Sequence, residues 1–259
     1  MISTKLIGGL SNNLFQIAML VAYSLRHNLP YCIPNEITNP HSKDQKVFYS
    51  KFLNYCKKEN KFPIYLEKGF NYEEIPYLTN ICFQGYWQSG RYFNDYREQI
   101  LNILNIPYEI KKGWCSIHVR RGDYLKLPTI HPVVSVDYIL NAMLEMMWRT
   151  GCENFLIFSD DIEWCKQNIH SNVVFTRRDK QIRLGANIEY SENKNEVEDL
   201  SLASSCQYNI GCNSSFSWWI YYLNRSENKG GIFPQKDKWF GSALPHNVDD
   251  LYMPQWILV

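Results

Sequence analysis

Residues 115–124, Cys115-Ser-Ile-His-Val-Arg-Arg-Gly-Asp-Tyr124, hold the densest chemistry of this chain. Ile117 and Val119 alternate with Ser116, His118 and Arg120. That period of two predicts a strand with one apolar and one polar face. Gly122 breaks it, so Arg120, Arg121 and Asp123 fall at a strand end, where open α/β sheets gather binding groups. Adjacent guanidiniums repel unless an anion or carboxylates accompany them. Two readings fit: a phosphate-binding tip, or a surface salt bridge from Arg121 to Asp123.

Other stretches carry groups of the same kind. Gly8-Gly9-Leu10-Ser11-Asn12-Asn13-Leu14-Phe15-Gln16 is a glycine turn entering a helix. Glycine permits close backbone approach and a helix N-terminus favours anions, but the spacing is not that of a dinucleotide fingerprint. An ordinary strand-to-helix turn has the same form. Cys212-Asn-Ser-Ser-Phe-Ser-Trp-Trp219 also leads from a strand into a helix. Ser214, Ser215 and Phe216 could hold a diphosphate there with hydroxyls and amides, or a serine could simply cap the helix; Trp218 and Trp219 read as core. Asp160 and Asp161 end another strand, able to accept from ribose hydroxyls or to cap the next helix. Asp199, beside Glu196 and Glu198, could take paired hydrogen bonds from the N–H edge of guanine or be a solvated helix charge.

These groups need a scaffold, and periodicity supplies one. The spacing predicts a strand at 5–7, a helix from Leu14 capped by Ser11 or Asn12, a strand over 80–85 and a helix over 92–104. Residues 31–80 have weak periodicity and read as short helices and loops. Pro107 and the Lys111-Lys112-Gly113 turn mark a boundary, giving domains 1–110 and 111–259. Beyond it the order is strand 115–120, helix 136–149, strand 154–158, helix 162–168, strand 173–175, helix 196–205, strand 208–210, helix 214–223 and strand 231–233. Alternation of this kind implies an α/β fold with a parallel sheet and ligands at the strand carboxyl ends.

Composition narrows the function classes. The chain has 259 residues, 45% hydrophobic and 15% aromatic, enough for a proper core. A net charge of +1 gives no strong field for nucleic acid, so anion binding must be local. The eight cysteines stand singly, without metal-ligand spacing, and suit reduced thiols in a cytoplasm; Cys115 and Cys206 read as buried. There is no signal-like N-terminus and no run of about 20 apolar residues.

Taken in order, the motifs resemble the inverting α-1,2-fucosyltransferases of glycosyltransferase family eleven. The resemblance runs through 8–16, Gly85-Tyr-Trp-Gln-Ser89 with Tyr92-Phe93, His118–Tyr124, His131-Pro132-Val133, Phe158–Asp161, Asp199–Cys206 and Asn213–Trp219, ending near Trp239-Phe240. It implies a GT-B fold: two facing Rossmann-like α/β domains, the first on the acceptor side and the second binding the donor, with the donor cleft between them. It implies no metal or other cofactor, GDP-β-L-fucose as donor, and an α-1,2 link to a galactose-terminated glycan. In this reading His118 and Arg120 contact the donor, Arg120 clamps the pyrophosphate and Arg121 braces the loop. Asp199 reads guanine, and Asp160 or Asp161 meets the nucleoside or the loop. Ser214, Ser215 and Phe216 cradle phosphates and fucose, Asn12 reaches the donor from the first domain, and Asp123 is the candidate base. Ser11 and Asn13 depart from the family's Gly-Gly-Leu-Gly-Asn-Gln turn. Acceptor recognition is expected within 31–80. The reading leaves room for peripheral contact with a membrane-borne acceptor and assigns no oligomeric state. The alternatives are another GDP-sugar donor or an idle glycan-binding module using Trp87.

Overall fold

A computed structural model describes residues 1–33, 62–177, 180–192 and 195–259. The chain forms two compact units, Met1–Ile106 with Asn247–Met253, and Pro107–His246 with Pro254–Val259. Each is an α/β unit on a parallel sheet.

In the first unit β1 (Ile2–Thr4), β2 (Tyr31–Cys32), β3 (Ile64–Leu66) and β4 (Ile81–Gln84) lie parallel in the order β2-β1-β4-β3. The first strand sits at 2–4 rather than 5–7 because side chains replace its ladder partners. The Ile7 N–H donates to Gln16 Oε1 at 3.0 Å, and its carbonyl accepts from Gln16 Nε2 and Asn13 Nδ2. Helix α1 (Leu10–His27) begins earlier than expected, with Gly9 as N-cap and no side-chain cap bond. Leu14, Phe15, Ile17, Ala18 and Val21 are buried on it, as their spacing requires. The helix expected over 92–104 is instead two 3-10 turns, Gly90–Tyr92 and Asn94–Tyr96, followed by α2 (Arg97–Leu104); Phe93, at φ −145° and ψ 0°, interrupts it. Of the weakly periodic 31–80 stretch, residues 34–61 lie outside the described residues.

The second unit has six parallel strands: β5 (Lys111–Val119), β6 (Asn154–Ser159), β9 (Asn187–Tyr190), β10 (Cys206–Ile210), β11 (Gly230–Phe233) and β12 (Trp256–Leu258). Their order is β12-β11-β10-β5-β6-β9. Helices α3 (Val136–Thr150), α4 (Ile162–Asn168), α5 (Glu196–Ser205) and α6 (Ser215–Leu223) connect them. The strand expected at 173–175 is β7 (Val174–Arg177), paired antiparallel with β8 (Lys180–Arg183) as a ribbon apart from the main sheet. Cys115, Ile117, Val119, Phe155, Ile157 and Ile210 from the sheet pack with Ile139, Leu140 and Met143 of α3.

Cys115, Cys206, Trp218 and Trp219 are fully buried, as the sequence suggests, and so, nearly, is Trp87. Cys32 is disulfide-bonded, which corrects the expectation of reduced thiols at that position; Cys82, Cys115, Cys152, Cys165, Cys206 and Cys212 are free. Among the described residues no helix is long and apolar enough to cross a membrane.

Close approach fixes one glycine at the sheet's carboxyl edge. A Cβ on Gly211 would stand 2.2 Å from the Phe233 ring. Gly211→Ala is expected to lower stability by about 1–3 kcal/mol through overpacking, read as a fall in the urea midpoint at unchanged slope.

Candidate active site

From β5 the chain winds outward to β6 and β9, then returns to the other side of β5 as β10 and continues to β11 and β12. The winding reverses between β5 and β10. The connections leave in opposite directions there, the place where open α/β sheets gather ligands beyond the strand carboxyl ends. The segments richest in chemistry, 118–124 and 212–217, leave these strand ends. They meet directly: His118 Nδ1 lies 2.7 Å from Ser217 Oγ, and the Tyr124 hydroxyl donates to the Asn213 carbonyl at 3.1 Å.

Asp160 and Asp161, just after β6, and Asp123 of the loop itself neutralise the arginine pair. Arg120 Nε and a terminal nitrogen reach Asp123 Oδ1 at 2.9 and 2.8 Å, and its other terminal nitrogen reaches Asp160 Oδ2 at 3.1 Å. Burial opposes the charge of Arg120, but Asp160 and Asp123 overcome it and raise its pKa. Its Nε–H makes the hydrogen bond, while the terminal nitrogens face Asp123 and Asp160 as ion-pair partners and keep N–H groups for a further acceptor. Arg121 is more enclosed. It pairs with Asp161 Oδ2 at 3.0 Å and stacks on the Trp164 ring at 3.6 Å. The salt bridge from Arg121 to Asp123, the bland reading of this tip, is not formed: Asp123 pairs with Arg120. Asp160 Oδ1 accepts from the Arg121 N–H at 2.9 Å, and Asp161 caps α4 through the Trp164 N–H at 3.3 Å. Both carboxylates therefore hold the loop, one of the two roles expected of them.

His118 is buried behind this tip. Besides Ser217 it lies 3.5 Å from Cys212 Sγ, and its ring centroid is 4.9 Å from that of Phe216. Burial, and secondarily Arg120, pushes its pKa down to about 3, so the imidazole is neutral. Burial also raises the Cys212 thiol to about 11. Burial likewise lowers His131, which stacks on Tyr124 with centroids 4.6 Å apart.

At the tip of α6, Ser214 caps the helix by accepting from the Phe216 N–H at 3.3 Å, and its own N–H donates to the Cys212 carbonyl at 2.8 Å. Two of the amides expected to face a diphosphate are thus engaged internally, the Phe216 bond being long. What this tip offers is the positive end of α6, the Ser214 and Ser215 hydroxyls and a replaceable cap.

Asp199, on the first turn of α5, accepts from Ser191 Oγ at 2.6 Å. Ser191 follows β9, so this carboxylate too stands at the sheet's carboxyl edge. Asn12 belongs to the first unit. Its Oδ1 accepts from Gln88 Nε2 at 2.8 Å, and Gly8, at φ +83°, has no room for a Cβ beside it. Sequence reasoning missed Ser217, Ser191, Trp164 and Gln88. Ser217, Trp164 and Gln88 act through partners far along the chain, and Ser191 through Asp199 across the turn from β9 to α5; only the two-stranded convergence of motifs hinted at them. Among the described residues no group of three or more His, Cys, Asp or Glu side chains could hold a metal ion.

The chain matches the sequence model of Glycosyl transferase family 11 over residues 3–259. It belongs to this family. It is 28% identical to an α-1,2-colitosyltransferase of Escherichia coli, over 91% of each chain. It is 28% identical to the O-antigen biosynthesis glycosyltransferase WbnK of the same organism, over 92% of this chain and 76% of that one. Among solved structures it is similar to POFUT1 in complex with GDP-fucose, at 10% identity and a TM-score of 0.49, over 90% of this chain and 96% of that one. Family 11 membership makes the chain a glycosyltransferase of the fucosyltransferase type.

The depressed His118 pKa has a thermodynamic signature. An unfolded imidazole titrates near 6.5, so between about pH 3 and 6.5 the unfolded chain binds one more proton than the folded one. The stability due to neutral His118 is complete above pH 6.5 and is lost as pH falls, by up to about 1.4 kcal/mol per pH unit. His118→Asn should flatten the pH dependence of the urea-unfolding free energy between pH 6.5 and 4 by about one proton.

Proposed function

We propose that this glycosyltransferase moves L-fucose from GDP-β-L-fucose to a galactose 2-hydroxyl of a glycan, with inversion and without a metal ion. The observation that carries the reading is Arg120, whose terminal nitrogens, ion-paired to Asp123 and Asp160, keep N–H groups for a further acceptor at the same strand ends as the α6 tip. A planar fork of this kind pairs two oxygens of one diphosphate.

The mechanism follows from charge. Breaking the bond between fucose and phosphate leaves oxocarbenium character on the sugar and negative charge on GDP. Arg120 and the positive end of α6 take up that charge, the part a metal ion would otherwise play. Because Asp123 and Asp160 already fix the guanidinium, little reorganisation accompanies bond breaking. Asp199, braced by Ser191, reads guanine. The acceptor hydroxyl attacks from the opposite face, which turns the β donor linkage into an α product. Its proton goes to Asp123. Asp160 and Asp161 spend both oxygens on protein partners, whereas Asp123 uses Oδ1 alone. The donor contact assigned to Asn12 belongs to the same reading.

Similarity to an α-1,2-colitosyltransferase favours a second reading, colitose in place of fucose. Turnover of GDP-fucose, GDP-colitose and GDP-mannose with a β-galactoside in excess chelator separates the readings. Fucosyl transfer with an α-anomeric product is expected; a chelator-sensitive reaction, or preference for another sugar, sinks the first reading. Arg120→Ala should lower kcat/KM by about 10²–10³-fold, by analogy with loss of one oxyanion-stabilising donor. Near-normal turnover in a folded variant would remove Arg120 from the charge-stabilising role.

A further inference from the structure

We infer that Ser217 is a positioning residue: it holds His118 as the neutral tautomer with its proton on Nε2, and so makes the imidazole a hydrogen-bond donor to an oxygen of the bound sugar nucleotide. The last clause rests on the function proposed above; the tautomer does not.

The argument is an accounting of one hydroxyl. Ser217 is 1% exposed, so its O–H must find a partner inside the protein. Its Oγ already accepts the backbone N–H of Cys212 at 3.0 Å. The hydroxyl proton then has two places to go, His118 Nδ1 at 2.7 Å or Cys212 Sγ at 3.5 Å. Sulfur is a weak acceptor, and the imidazole nitrogen is both nearer and stronger. The other neighbour of Nδ1 is the Cys212 thiol at 3.5 Å, itself an S–H donor. Both neighbours of Nδ1 thus carry a proton to give. The reverse arrangement, with Nδ1–H donating, would load two N–H groups onto Ser217 Oγ and turn its hydroxyl toward the sulfur. Nδ1 is therefore the acceptor and the ring proton sits on Nε2.

That leaves a donor without a protein partner. His118 is 8% exposed, and no described residue accepts from its Nε2. Its place on β5 puts it on the same side as Arg120, one alternation away. A neutral N–H beside a guanidinium adds a directed hydrogen bond to an anionic or hydroxyl oxygen without adding a second positive charge next to Arg120. An imidazolium there would repel the arginine that the carboxylates hold in place. Serine suits the task because α6 carries it one turn past its cap at Ser214, facing the end of β5.

The test is a long-range proton–nitrogen correlation spectrum of ¹⁵N-histidine-labelled protein without ligand at pH 7, with His118 assigned by its loss in His118→Asn. The expected pattern is an unprotonated Nδ1 and a protonated Nε2. A protonated Nδ1, alone or as imidazolium, overturns the proposal. In Ser217→Ala the His118 resonances should shift toward a mixed tautomer population, and Ser217→Thr, which keeps the hydroxyl, should restore the pattern. An unchanged His118 pattern in Ser217→Ala overturns the role of Ser217. Calorimetry with GDP supplies the ligand arm: roughly tenfold weaker binding is expected for Ser217→Ala, with recovery in Ser217→Thr. Equal affinity in a variant whose tautomer has changed overturns the hydrogen bond to the nucleotide. Wild-type protein that shows the expected tautomer but binds no GDP sinks the fucosyltransferase reading and the ligand clause with it, while the tautomer stands on the spectrum alone.

Discussion

The Asp160 carboxylate is the contact on which the arginine tip depends. Its Oδ2 holds the Arg120 guanidinium and its Oδ1 the Arg121 backbone N–H. The same carboxylate occupies the space over Gly122, where any Cβ would come within 2.5 Å of Oδ2. Strand register makes this possible. β5 and β6 pair with His118 opposite Phe158 and Val119 opposite Ser159, so the next residues out, two arginines and two aspartates, leave the sheet side by side. Repulsion between adjacent guanidiniums is answered by Asp160 and Asp161 after the neighbouring strand together with Asp123, the nearest carboxylate in sequence, on Arg120. The pairing also divides labour. Arg121 is locked between Asp161 and the Trp164 ring, whereas Arg120 is fixed in direction with donor capacity to spare.

Position in the sheet decides what the tip can do. The reversal of winding between β5 and β10 sets the arginine loop beside the N-terminal end of α6. The seam between them is closed from below by His118, Cys212 and Ser217 and from the side by the Tyr124 hydroxyl on the Asn213 carbonyl. A buried polar seam of this kind is costly when partly satisfied and specifying when satisfied. Here the bonds that join the β5 end to the α6 end link residues 89 to 99 positions apart, so the site forms only once the sheet has formed. The arginine tip and the N-terminal end of α6 are held by the same contacts that define the fold.

How much of this was legible in the sequence follows from the range of each interaction. The strand at 115–120 and the helices at 136–149, 162–168 and 196–205 were legible because period and caps are local signals, and Ser135, Asp161 and Asn195 do cap α3, α4 and α5. β2, β3 and β12 were not, being two or three residues long. β9 was missed because it is an edge strand with alternating half-buried positions and no strong apolar run. β1 was displaced by three residues because Asn13 and Gln16, which look like ordinary helix polar residues, satisfy the backbone of Ile7. Within the site the residue types were legible and their pairing was not. Arg121 with Asp161, and His118 with Ser217, are set by strand order, which no local window contains.

The first unit bears on whether the altered glycine turn at 8–13 still resembles its family. Asn13 is fully buried and donates to the Ile7 carbonyl and to Gln16 Oε1, while Gln16 Nε2 reaches the carbonyls of both Ile7 and Gly85. The residue at 13 therefore serves the turn itself, and an amide side chain there, Asn or Gln, can meet the same backbone groups. Asn12 is the side chain that points away from this network, to Gln88 Nε2. Gln88 in turn sits on a loop fixed by Glu67, whose carboxylate accepts the N–H groups of Tyr86 at 2.6 Å and Trp87 at 3.0 Å and is raised in pKa by burial. Trp87 adopts φ +56°, a conformation that costs a non-glycine residue roughly 1–2 kcal/mol and is held by these two bonds. Backbone satisfaction by Asn13 and Gln16 on one side, and by Glu67 on the other, leaves the amide pair Asn12 and Gln88 at the carboxyl ends of β1 and β4. The departure from the family pattern at 13 thus falls on a residue that builds the turn, and leaves the Asn12–Gln88 pair in place.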